Sequence, residues 1–281
     1  MTNSILNPSL RTALLLGAAL ALPPALHGQH GHLSVGAEGT NHGDRLVWVN
    51  GKDFIDDSGY VKTLTFTNAG RFANHFQGGI TLTALPATAA HGGPDPTAAA
   101  LGSSIQFSME CLEGPEGGAF HFWESAGDLP AVSLAPGQTS TNLWRLSEND
   151  GSPGSDPYGH IHGRRFSAGK PGIYKVAFTA VDTSTNGPNA GPIHAPSSAV
   201  PIWFQAGVNI RPVEPAVERS RVRFAAPSGA SWQVESAPAL DANTAWTAVG
   251  PPIVGDDVFH DVLDESTLKG QRFYRARSVA P

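Results

Sequence analysis

The sequence predicts an all-β protein: an antiparallel β-sandwich, Ig-like or jelly-roll-like in arrangement, followed by a second, smaller β-sandwich module. Three observations carry that expectation. Beyond the first 28 residues, apolar positions recur with period two, and helical periodicity is almost absent. The alternating runs are short and set apart by turn formers, 32 Gly and 23 Pro among them, so the connections are turns and irregular loops. The lone cysteine, Cys111, has no partner for a disulfide within the chain, which leaves a packed core as the source of stability.

In chain order, strands are expected over 32–35, 45–49, 61–67, 79–85, 103–111, 119–124, 141–146, 173–181 and 199–205. In the fifth, alternation places Ile105, Phe107, Met109 and Cys111 on one face, making the thiol a core hydrophobe rather than a nucleophile. Two long loops, 86–100 and 148–158, interrupt the series, and the second delivers the chain into His160.

The segment TALLLGAALAL, 12–22, follows Arg11 and is too short to span a bilayer as a helix. It reads as the apolar part of a secretory signal over 1–28, with Gln29 as the mature start. Nothing else is long and apolar enough to cross a membrane, and the terminal RARSVAP offers no hydrophobic anchor, so a secreted, periplasmic or cell-envelope location with no membrane span is expected. A His-rich sandwich occupies 29–210, RPVEPAV over 211–217 has the proline spacing of a stiff linker, and the smaller β module fills 218–281.

The formal charge of -6 argues against nucleic acid and anionic lipid as partners. Residues 29–210 hold 9 Lys+Arg against 15 Asp+Glu, whereas 211–281 hold 8 against 9, so the acidity belongs to the first part. The histidines lie there too, since His260 alone falls beyond 211, and an acidic, histidine-rich domain attracts cations.

The strongest metal signal is His160 and His162, because residues two apart on a strand project from the same face. In AFHFWE, alternation sets His121 opposite the core face formed by Phe120 and Phe122. His194 sits in a proline-constrained loop, and His32 begins a strand near the mature N-terminus; with the His-x-His pair these form the expected ligand set. His42, His75 and His91 have no paired spacing and read as surface loop residues. Neutral imidazoles suit tetrahedral zinc; copper is the alternative, although the sulfur ligands it favours are limited in the mature chain to the inward-facing Met109 and Cys111.

The pattern His160, His162, Phe166, Pro171-Gly172, Tyr174, with HGHLSVG near the start and PIWFQAG at the end, resembles an exported domain of actinobacterial surface-anchored repeat proteins. Cyanobacterial sorting-tail proteins repressed by the zinc-uptake regulator share it. The resemblance implies a β-sandwich at the surface or in the periplasm, linked to zinc supply or storage. The segments Trp232 to Ser236 and Arg272 to Arg275 resemble a C-terminal β module of exported proteins in the Verrucomicrobia and Planctomycetes group, which implies an accessory or interaction role.

The expectation is therefore an exported metal-binding protein whose partners are the ion and envelope or metal-uptake components. The alternative is a structural or adhesive envelope protein with incidental histidines. A metal-dependent hydrolase is the third reading, with Glu124 and Asp182 as the available bases, but no nucleophile elbow, HExxH or phosphate-binding glycine loop supports it.

Overall fold

The computed structural model describes residues 32–85, 98–146, 163–213, 220–241, 244–266 and 271–279. Residues 1–28, expected to be a secretory signal, and the pair His160 and His162 lie outside the described residues, as does His91. The fold is all-β and sandwich-like, as expected. The first part contains β1 (His32–Ala37), β2 (Leu46–Trp48), β3 (Val61–Thr67), β4 (His75–Gly78), β5 (Thr81–Ala84), β6 (Ile105–Glu113), β7 (Phe120–Trp123), β8 (Val132–Leu134), β9 (Gln138–Thr139), β10 (Trp144–Arg145), β11 (Arg165–Ala168), β12 (Gly172–Asp182) and β13 (Val200–Ala206). The second contains β14 (Ile210–Val213), β15 (Ser220–Ala226), β16 (Ser231–Ala237), β17 (Thr247–Ala248), β18 (Ile253–Val254), β19 (Val258–Asp264) and β20 (Phe273–Val279).

Strands β10-β6-β12-β13-β3-β4-β11-β7-β8 form one continuous sheet, with β9 paired to β6, and that sheet curls until it is nearly a closed barrel. Period-two sequence drives the curl. In β6, Ile105, Phe107, Met109 and Cys111 are all buried while the residues between them are half-exposed, as the alternation predicts. Inward-facing aromatics then meet across the interior. Phe166 of β11 lies 5.7 Å from Phe120, 5.6 Å from Phe122, 5.5 Å from Phe178 and 5.6 Å from Phe204, centroid to centroid. A smaller sheet, β2-β1-β5, adds Leu33, Val35, Leu46 and Trp48 to the same core, and the Trp48 indole N–H donates to Phe178 O at 3.0 Å.

Smaller sheets, β14-β15-β19 and β16 with β17, β18 and β20, enclose a second core around Val222, Phe224, Val234 and Val262. In that unit the Trp-x-Val-Glu-Ser segment is a ladder device. Glu235 lies opposite Arg275 in the β16–β20 register and accepts from both Arg275 and Arg277. Burial alone raises the Glu235 carboxyl pKa, but the two guanidinium groups outweigh it and hold the group below its usual range.

Residues 211–213, expected to open a linker, instead belong to β14, which pairs with β15; the proline there is tolerated because β14 has only one neighbour. The two cores are also stitched directly. Val61 N–H donates to Asp257 O at 2.9 Å, Phe259 N–H to Gly59 O at 3.1 Å, and the buried Gln205 amide to Ala225 O at 3.1 Å. The Arg211 guanidinium sits 5.9 Å from the Trp203 ring and 5.4 Å from the Phe259 ring.

Because Phe166 is fully buried among four aromatic rings, truncation leaves a void that the rigid sheet cannot close. Phe166→Ala is expected to lower the unfolding free energy by about 3–5 kcal/mol, measured by urea titration followed by tryptophan fluorescence.

Candidate metal site

Two adjoining strand pairings build the outer face on which His121 stands. β11 lies between β4 and β7, with Ser167 opposite Gln77 on one side and His121 on the other, and His121 in turn faces Ser133 of β8. Alternation turns Phe120 and Phe122 into the core and His121 outward, as expected. Trp123 shares the outward face but is buried, because Phe72 from the 3-10 turn Gly70–Phe72 packs edge-on against it at 5.0 Å and its indole N–H donates to Ser167 Oγ at 2.7 Å.

The residue that meets His121 there is His75, which the sequence suggested was a surface loop histidine. It is the first residue of β4, half-buried, with its ring 5.2 Å from that of His121 and 5.6 Å from Trp123. Ala73 O can only accept, so the 3.0 Å contact with His75 Nδ1 fixes the proton on Nδ1 and leaves a lone pair on Nε2. His121 Nδ1 pairs with Ser133 Oγ at 2.8 Å. Its Nε2 lies 3.8 Å from where a Cβ of Gly169 would stand, so the glycine keeps bulk away from it. Both rings thus have Nδ1 engaged by an oxygen, the arrangement that orients metal-binding imidazoles. Zinc held by two Nε2 atoms at ~2.1 Å with tetrahedral angles places the ring centroids roughly 5 Å apart, a spacing that edge-on ring packing also produces.

Of the other expected ligands, the two among the described residues, His194 and His32, form no metal-holding group with this pair. His194 is a core residue, 1% exposed, with both nitrogens spent on backbone: Ala100 N–H donates to Nε2 at 2.9 Å and Nδ1–H donates to Asp44 O at 3.0 Å. No lone pair remains for an ion, so the rigid loop that suggested a ligand instead uses His194 as a buried brace. His32 stands at the exposed start of β1 and lines a cleft of about 580 Å³ together with Gly163, the residue that follows His162. Among the described residues, no group of three or more His, Cys, Asp or Glu is disposed to hold a metal.

The carboxylates considered as bases are likewise committed. Glu124 receives two bonds from Arg164, at 2.8 and 3.0 Å, and Arg164 also donates to Arg145 O at 2.7 Å. Asp182 is buried and accepts from the backbone N–H groups of Ser104, Ser184, Ile193 and His194. Cys111 is buried as expected, and burial pushes its thiol up to about 11, far from thiolate reactivity.

Burial, aided by the proximity of His75, lowers the His121 pKa to about 4. The unfolded chain therefore takes up that proton first, near ~6.5, so the stability associated with neutral His121 is complete above that pH and is lost as pH falls towards about 4. With divalent metal chelated, the urea midpoint should fall between pH 7 and 5, and His121→Gln should flatten that fall; parallel profiles for the two proteins would contradict it. His194→Ala strands the buried Ala100 N–H, while Asp44 C=O keeps the Ala195 N–H, and should cost about 1–3 kcal/mol in the same assay at pH 7.

Comparison with known proteins found no matching family model, no matching curated protein and no matching solved structure.

Proposed function

We propose that the chain is an exported metal-binding protein, with zinc the preferred ion, and that its capture site is centred on His75 and His121 rather than on five converging histidines. The carrying observation is the juxtaposition itself: two imidazoles 5.2 Å apart on the two strands that flank β11, on one sheet face, each with Nδ1 held by an oxygen. Two protein nitrogens leave coordination positions for water or an exchangeable ligand, which suits capture and release better than a closed structural site. The secretory leader expected at 1–28 and the acidity of residues 29–210 support the same reading, and so does the resemblance carried by His160, His162 and the strand after them.

A second reading, an envelope sandwich without a metal role, is favoured by His194, whose conspicuous position in the sequence answers to a bracing task. Zinc affinity measured by competition with a chromophoric chelator separates the two. His75→Ala and His121→Ala are each expected to weaken zinc at least about tenfold, and Ser133→Ala, which removes an orienting contact, by up to about tenfold. Binding that survives both histidine variants but disappears in His160→Ala/His162→Ala would move the site to that segment. Absence of stoichiometric zinc in the wild type would favour the envelope reading.

A further inference from the structure

The cleft that His32 lines has a chemistry opposite to that of the histidine pair. It opens at the end of the barrel-like sheet where β3 and β11 begin and β4 finishes. Ile80, Leu82, Phe122 and Phe166 form its apolar side, and Lys62, Arg164 and Arg165 bring positive charge to it. Of those three, Arg164 is neutralised by Glu124, but among the described residues Lys62 has no carboxylate partner and the Arg165 guanidinium bonds to the carbonyl of Arg164 and to no carboxylate. Its volume of about 580 Å³ falls in the range of small-molecule sites, for which the mouth of a barrel is a recurrent location.

Lys62 is the informative residue. A Cβ built at Gly78 would stand 3.1 Å from Leu64 Cδ2 and 3.6 Å from Lys62 Cε, so the lysine shares the face of the fully buried Leu64. An inward-tending lysine is a known guard on sheet edges, yet β3 is flanked by β13 and β4 and is no edge. Gly79 adjoins the Arg165 end of the cleft: a Cβ there would come within 3.2 Å of an Arg165 guanidinium nitrogen. Two cations with no carboxylate partner among the described residues therefore border an apolar floor. Such a departure from the inside-apolar pattern is expected at functional positions.

The geometry points to this cleft as a binding site for a small amphipathic anion, its carboxylate, phosphate or sulfonate head on Lys62 and Arg165 and its apolar body against Ile80, Leu82, Phe122 and Phe166. Positive charge at the mouth repels a divalent cation and attracts an anion, so the inference is independent of any metal bound at His75 and His121. An anionic head also finds charge-assisted donors there, the stronger kind of hydrogen bond.

The test uses the purified protein in the presence of a chelator, with 1-anilinonaphthalene-8-sulfonate as the anionic probe, octanoate as competitor and N-phenyl-1-naphthylamine as the neutral counterpart. The expected result is a single sulfonate-probe site that octanoate displaces and that salt weakens. Binding should fall about tenfold or more in Lys62→Gln/Arg165→Gln, with the unfolding midpoint retained. Binding of the neutral probe should be weaker than that of the sulfonate and unaltered by the substitutions. If the double variant does not fold, the comparison of anionic with neutral probe and the salt dependence decide the matter on the wild type alone. Equal binding of the two probes, indifference to salt, or sulfonate binding unchanged in a folded double variant overturns the inference.

Discussion

The structure depends above all on how Phe166 is held. Four aromatic rings from β7, β12 and β13 surround it, so a strand of only four residues is locked into one register between β4 and β7. A slip by one residue would turn Phe166 and Ala168 outward and Ser167 inward, which the buried ring contacts forbid. Everything of functional interest follows from that register. It sets Ser167 level with His121, carries Arg165 to the cleft beside Gly79, and brings Arg164 under Glu124.

Electrostatics separates the molecule into two chemically different faces within a single sheet. On the outer face, half-buried imidazoles sit among Trp123, Phe72, Ser133 and Ser167, with no lysine or arginine nitrogen of the described residues bonded to either ring. At the sheet end, two cations without carboxylate partners among the described residues border an apolar floor. A net charge of -6 hides this division, and several carboxylates are engaged elsewhere: Asp56 with Lys175 and Trp203, Glu235 with two arginines, Asp182 with backbone amides. Local pairing, rather than total charge, decides what each surface attracts.

Much of the fold was legible because period-two alternation directly encodes which side of a sheet meets the core. The runs over 61–67, 103–111, 173–181 and 199–205 fall on β3, β6, β12 and β13, and the inward placement of Cys111 and Met109 follows from the same rule. The strands that went unseen are the short ones. HFQG of β4 and RFSA of β11 contain too few alternations to register, and they are the two that place His75 and Arg165. The one hint for His75 was its neighbour Phe76, an aromatic beside a histidine as in AFHFWE. The linker expected over 211–217 overlaps β14 at 211–213 for a related reason: proline spacing reports a stiff backbone but cannot distinguish a free spacer from an edge strand with one partner.

By itself the sequence determined the all-β class, the inward faces of β6 and β7, the burial of the lone thiol and the presence of a second β unit, because these depend on local alternation and composition. Tertiary structure alone decided which histidines meet and which are spent. His75 joins His121 because two strands separate in sequence share β11 as a neighbour, and His194 is consumed by backbone groups from residues 100 and 44. A histidine's chemistry depends on which atoms reach its two nitrogens, and in this chain those atoms arrive from distant segments.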